Sequence, residues 1–587
     1  MTRHLALTGL LAVSLLTACG SGGGADARSG GAPVPPPTAG SVVDGLGADV
    51  DTQTSTTTIS ARWFDFAGVS APIVQYEWSI GTAPFATDVQ DWASVGTSLT
   101  ATNTSLSLQV GTTYYVAVQA YDSLGNASPP ASSDGVRVTS APGGGGGGGG
   151  GGSGTMASSA GQWGITWQFD HDYQVGQFCN GDWWVVGPVN IVSISPPTQT
   201  VSGRVINGSM INPDVTGMAG YDSTLYGQYA TSTRQYSASL NVALGVSPLH
   251  PLVLPSSTSL ISSISQLTPD PNGSPSEIAT AAVLTVLASV PPADAFRPPY
   301  AGNDKTIRHR ESDLDYTRLA DLAPVSGAPS LSSTANQFSR VWLDHCAHWT
   351  SGRMHPVQNM PSYYRDFTTL TGTAGLLLNC NYTNAQKRDL LVRFTQVGID
   401  WHQHMVVGAR WGVNGHCNGR KFPILFAGRV LNDSTMLAVG TTYPLHFVGP
   451  DNPGNTIVPF SEDGQTFNVA QTSPGVYNWG YGGYNATHLG LPEWGNFHAN
   501  GGSQDIDGDY STWLPPPGRG DYRRCCSANG WVGTTLTMRA MGLQAAWNHQ
   551  VHFDYMDRYV QMEVDGEWTE SWEAWHGSMW HAYRSQL

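Results

Sequence analysis

Trp411 to Gly428 reads W-G-V-N-G-H-C-N-G-R-K-F-P-I-L-F-A-G. Gly412, Gly415 and Gly419 leave the backbone free for positive φ and close approach, and Pro423 falls where a first helical turn tolerates a missing N–H. The stretch predicts a tight polar loop entering a buried apolar helix. The start of a helix offers unpaired N–H groups and partial positive charge, and His416, Arg420 and Lys421 stand beside it. One reading is a seat for an anion. The other is that Arg420 and Lys421 pair with carboxylates at a domain seam.

Around this stretch, residues 326–587 carry helical spacing. Phe338, Val341, Trp342, His345 and Trp349 follow a Ser333/Thr334 cap, and Leu391, Phe394, Val397, Trp401, His402 and Met405 follow Thr383/Asn384. Tyr363–Leu378, Phe422–Leu437 and an amphipathic run from Trp531 to Val560, interrupted near Gly542, complete the set. Thr441 to Tyr522 is an irregular insertion rich in Gly, Pro, Asn and aromatics. Consecutive helix pairs with polar and aromatic residues on one face suit an all-α α/α toroid with a central cleft; a compact helical bundle is the alternative.

Upstream, residues 161–325 read as an irregular β-rich domain. Ile165–Phe169, Gln177–Val186 and Val189–Ile194 are strand-like, with turn signals at Asn180-Gly181, Asn207-Gly208 and Asn272-Gly273. Of the adjacent Trp183 and Trp184, one is expected to face a core. Residues 42–140 show short alternating strands, a β-sandwich pattern. The run Y-Y-V-A-V-Q-A-Y-D-S-L-G-N-A-S from Tyr114 resembles the penultimate strand and turn of a fibronectin type III module. Ten glycines, Gly143 to Gly152, cannot form a packed core and mark residues 141–160 as a linker.

The chain opens with Arg3 and His4, an apolar run from Leu5 to Leu16, and Leu16-Thr-Ala-Cys19. This pattern is a secretory signal. It resembles a bacterial lipoprotein signal, which implies removal of residues 1–18, lipidation of Cys19 and a tether over residues 19–41. The expected location is the cell envelope, with Gly20 compatible with the outer membrane.

At 587 residues the chain is long enough for about four domains. Its net charge of −16 with only 27 Lys and Arg argues against nucleic acid, whose phosphates need a basic footprint. Many of the 20 Trp and 23 Tyr would suit the apolar faces of sugars. Six cysteines remain after Cys19, too many pairings for spacing to resolve.

No G-x-S-x-G elbow, H-E-x-x-H pair or Walker loop is present. Asp505, Asp507 and Asp509 form a weak calcium-loop pattern lacking the bidentate Glu; otherwise no cofactor is expected. What the helical region does carry is His, Tyr, Arg and Asn, the residue types of eliminative cleavage beside a uronate. Removing the C5 proton places charge on the carboxylate, so one group neutralises it while Tyr or His moves protons.

The run G-H-C-N-G-R-K-F-P-I-L-F-A-G, together with Y-N-A-T-H-L-G-L-P-E-W-G from Tyr484 and R-C-C-S-A-N-G-W from Arg524, resembles α/α-toroid polysaccharide lyases acting on glucuronan or alginate. The resemblance covers roughly the last 250 residues. It implies Tyr484 as the catalytic tyrosine, His416 as its acid/base partner or neutraliser, and Arg420 as a carboxylate binder. Asn359 and Asn414 compete for the neutralising asparagine. Lys421, Tyr364, Arg365, His402, His488, Tyr522 and Arg524 are further candidates for contact with an acidic polysaccharide. The competing readings are a glycoside hydrolase using two of Asp344, Asp400, Glu493 and Asp505, and a non-catalytic glycan-binding lipoprotein.

Overall fold

The computed structural model describes residues 35–46, 49–53, 55, 57–104, 106, 108–109, 112–138, 154–215, 217–225, 234–268, 270, 274–346, 351–360, 366–412, 415–445, 458–477, 484–495, 526–564 and 573–587. The chain divides into two compact units, Met1–Gly148 and Gly149–Leu587, and the dividing point falls inside the glycine run.

The first unit is a β-sandwich. A three-stranded sheet has the order Ser41–Asp44, Ile59–Phe64, Thr100–Asn103, and a second sheet has the path Thr52–Gln53, Val136–Val138, Thr113–Asp122, Ile73–Gly81, Gln90–Gly96. Period-two alternation sends Ile59, Ala61 and Trp63 inward from one sheet to meet Trp78, Ile80, Val116 and Val118 from the other.

The second unit holds an eight-stranded sheet and a helical region. Ile165–Gln177 and Trp183–Val186 form the hairpin expected at Asn180-Gly181, where Gly181 takes φ +90°. Ile278–Leu287 lies inside the sheet, and both its faces are covered. Ala282, Leu284 and Val286 join one core with Trp167 and Leu260, whereas Ala281 and Val283 join another with Tyr300, Val341, Leu343 and Met354. This double burial explains a nearly unbroken apolar strand. Trp184 is the buried member of its pair.

The boundary expected near 325 does not separate two cores. Val341, Leu343 and Met354 pack on the sheet, and Phe296 and Leu314 pack among the helices. The buried Arg297 also bonds both Asp182 of the sheet hairpin and Asp400 of a helix. The expected helix through Phe338 to Trp349 is corrected as well. The helix is Leu331–Asn336, capped by Ser330, and the chain after it runs irregularly to Cys346. Val341 and Leu343 turn to the sheet while Trp342 turns to the helices, so apolar spacing there reflects a strip buried on two sides.

Other helices follow their signals. Asn384–Val406 starts at a Thr383 capping box closed by Gln386, and Ala528–Ala540 ends before Gly542, whose φ is +65°. Phe367–Leu378 packs on Ala528–Ala540, and Asn384–Val406 packs on Lys421–Val430. The second pair meets at Gly398, where an added Cβ would lie 2.3 Å from the Pro423 carbonyl oxygen. Because that obstacle is backbone, Gly398→Ala is expected to cost about 1–3 kcal/mol in urea unfolding. Among the described residues, no helix is long and apolar enough to cross a membrane.

Candidate functional site

The loop before Lys421–Val430 is organised by Arg420, which is 1% exposed. Its Nε donates to Asp344 Oδ2 at 2.9 Å and its Nη2 to Asp344 Oδ1 at 3.2 Å. Nη1 donates to the carbonyls of His416 at 2.9 Å and Asn418 at 2.6 Å. The guanidinium stands over the rings of Phe367 and Trp401. His355 Nε2 donates to Asp344 Oδ1 at 3.2 Å, which places that ring's hydrogen on Nε2. Burial alone would raise the Asp344 carboxyl, but Arg420 and the His355 hydrogen bond outweigh it and hold the group ionised.

This corrects two expectations. Arg420 spends its guanidinium on Asp344 and the loop carbonyls, so it fixes the backbone of His416 rather than offering itself to a carboxylate. Lys421 is fully buried, donating to Asp463 Oδ2 at 2.6 Å over the rings of Trp547 and Phe460. The pairing alternative therefore holds at both positions. The physical reason is burial, because a cation deep in an apolar core is retained only with a fixed counter-charge.

Behind this pair lies a cluster that the sequence did not single out as a group. Tyr300 Oη donates to the Trp342 carbonyl at 2.8 Å, and its ring meets His404 and His345 edge-on at 5.1 and 5.9 Å. Tyr221 meets His345 at 5.8 Å. Among the described residues, both ring nitrogens of His404, Nε2 of His345 and the Tyr221 hydroxyl have no hydrogen-bond partner. Burial pushes His345 down to about 3 and His404 to about 4, so both imidazoles are neutral near pH 7.

A strut, Ser461 to Asn468, joins the Arg420 loop to Tyr484. Glu462 Oε1 accepts from Gly419 N at 2.6 Å, and Gln465 donates to Asn418 Oδ1 at 2.8 Å. Phe467 then meets the ring of the buried Tyr484 edge-on at 6.2 Å, and Tyr484 meets His488 at 6.0 Å. Asn485 caps this turn through Thr487 N, while His488 Nδ1 accepts from Asn485 N at 3.0 Å. Neutral His488 therefore carries its hydrogen on Nε2. The structure thus brings Tyr484 to His488 and His416 to Arg420, and it links the two pairs through one segment.

Glu462 was missed by motif reasoning, its only signal being an acidic pair one residue beyond the apolar Val458–Phe460. Burial pushes its carboxyl up to about 7, above the usual carboxylate range. A raised folded-state value means that stability is lost as pH rises from about 4.5 through 7. Glu462→Gln keeps an acceptor for Gly419 N–H and removes that loss. The variant is expected to gain on the order of 2–3 kcal/mol relative to the parent between about pH 5 and pH 8 in chemical unfolding.

Asn359 is corrected as a neutralising group. It is fully buried, its Oδ1 accepts from Arg340 N and its Nδ2 donates to the Arg340 carbonyl, so both amide ends are used to hold a backbone segment. His402 is half-buried and lines a hollow of about 530 Å³ with Arg308, His309 and Asp433, while its neighbour Trp401 faces Arg420. Cys179 and Cys380 are thiols, and Cys526 is disulfide-bonded. Tyr364, Arg365, Asn414, Tyr522, Arg524, the Asp505, Asp507 and Asp509 pattern and the lipidation candidate Cys19 lie outside the described residues.

No family model matches the chain, and no curated protein matches it. Among solved structures it is similar to titin domains at 19% identity and TM-score 0.13, over 18% of this chain and 32% of that one. It thus spans about a third of the length of those titin domains. It is also similar to the chicken CNTN1 FN1–FN3 domains at 12% identity and TM-score 0.14, over 43% of this chain and 67% of that one. An α-L-rhamnosidase from Dictyoglumus thermophilum matches at 11% identity and TM-score 0.16, over 39% and 27% of the two chains. Scores this low carry no statement about shared fold or activity.

Proposed function

We propose that this chain is an exported, lipid-anchored enzyme that depolymerises a uronic-acid polysaccharide by β-elimination on an α/α-toroid scaffold. The observation that carries this reading is the state of the acidic residues. Hydrolysis calls for two carboxyl groups at the reacting bond. Of the carboxylates singled out for it, Asp344 is bound by Arg420, Asp400 by Arg297 and Glu493 by Arg558, while Asp505 lies outside the described residues. Imidazole and phenol groups occupy the loops instead. The packed helix pairs support the scaffold reading.

In this mechanism His416, half-buried on the turn Gly415–Cys417, and Tyr484 carry the proton transfers. A base removes the C5 proton, the electron pair forms the C4–C5 double bond through the carboxylate-stabilised anion, and the C4–O bond breaks. The leaving oxygen takes a proton from the second group. Arg420 is a positioning residue that pins the His416 carbonyl, and Asn414 is assigned to the substrate carboxylate.

Incubation with glucuronan, alginate and other uronates is expected to raise ultraviolet absorbance as polymer length falls. Release of saturated ends only, abolished in Glu462→Gln, would replace this reading with a hydrolase that uses the raised Glu462 carboxyl as its acid. Retention on polymer without any cleavage would leave a glycan-binding lipoprotein.

A further inference from the structure

The first unit contains a group of side chains unrelated to the site above. Asp44 ends the strand Ser41–Asp44, Asp49 stands five residues further on, and Asp134 precedes the strand Val136–Val138. One carboxylate oxygen from each lies within 4.8 Å of the others. Two oxygens bound to one calcium ion at about 2.3–2.6 Å stand no more than about 5 Å apart, so the spacing is that of ligands sharing an ion.

The second observation is burial without satisfaction. Asp44 is 1% exposed, and while its Oδ2 accepts from Gly135 N at 3.0 Å, its Oδ1 has no hydrogen-bond partner among the described residues. Asp49 uses Oδ1 to accept from the backbone N–H groups of Asp44 and Val50. The charged groups that act on Asp44 are Asp49 and Asp134, and those that act on Asp49 are Asp134 and Asp51, all of them acidic. The donors to the Asp44 carboxyl, the Ser133 hydroxyl and the Gly135 N–H, are both neutral, so a buried carboxylate among acidic neighbours lacks a positive charge. The donor set is entirely oxygen, which selects a hard cation, and irregular carboxylate geometry suits calcium better than the octahedral demands of magnesium.

We propose that Asp44, Asp49 and Asp134 bind one calcium ion, which ties the first strand of the sandwich to its last. This site is separate in sequence from the Asp505, Asp507 and Asp509 pattern, and it does not depend on the lyase reading.

The full chain, stripped with a chelator and titrated with calcium chloride by calorimetry, is expected to take up one ion through this site. At calcium ten times the dissociation constant, amide exchange over residues 41–50 and 133–138 should slow by about tenfold. Asp49→Asn, which keeps an acceptor for the two backbone N–H groups, and Asp134→Asn, on an exposed residue, should each abolish that uptake and the slowing. Replacing Asp505, Asp507 and Asp509 together by Asn should preserve both. If Asp49→Asn fails to fold, Asp134→Asn decides. No calcium uptake by the unmodified chain would overturn the proposal, showing a carboxyl that simply holds its proton. Uptake that survives Asp134→Asn, or that disappears only with the Asp505 group, would equally overturn it.

Discussion

Arg420→Ala is expected to lower the free energy of unfolding by about 3–5 kcal/mol. Among the described residues, the substitution leaves Asp344, a fully buried carboxylate, with only the His355 imidazole as partner, and it releases the carbonyls of His416 and Asn418. It also removes a cation from over the rings of Phe367 and Trp401. Asp344→Ala should cost a similar amount for the mirror reason, an uncompensated guanidinium. Replacing both partners by apolar groups of similar volume should cost much less than either single change. A loss below about 1 kcal/mol for Arg420→Ala in urea unfolding would contradict the assignment of Arg420 to structure and return it to the pool of substrate binders.

Tyr484→Phe is expected to lower turnover on a uronate polymer by about a hundred- to ten-thousand-fold, the usual range for losing a positioned acid or base. The ring keeps its edge-on contacts with Phe467 and His488, so thermal stability and retention on the polymer should change little. A fall in kcat without a matching rise in KM would place the hydroxyl in the transition state rather than in ground-state binding. Near-normal turnover would remove Tyr484 from the mechanism and move attention to Tyr522.

Much of the scaffold was legible because its signals are local. The Thr383 capping box and the Asn180-Gly181 hairpin each encode their structure within a few residues, and the two units divide within the glycine run. Trp411 to Gly428 likewise encodes a buried helix entered by a polar turn, and Lys421–Val430 is that helix. What was not legible depends on partners distant in sequence. Arg420 finds Asp344, 76 residues away, and Lys421 finds Asp463, 42 residues away, so pairing and anion binding look alike in one dimension. The strip after Leu331–Asn336 misleads for a related reason, since burial on both sides imitates helical spacing. His345, His404 and Tyr221 converge only when the sheet and helices close on one another, which no motif records.

The most direct test of the central claim is cleavage of a uronate polymer in water enriched in heavy oxygen, read by mass spectrometry of the released oligosaccharides. Elimination breaks the C4–O bond without consuming water, so the account predicts unsaturated products with no label at the new ends. One heavy oxygen per bond cut, at the new reducing end of saturated products, would mean hydrolysis and would contradict it.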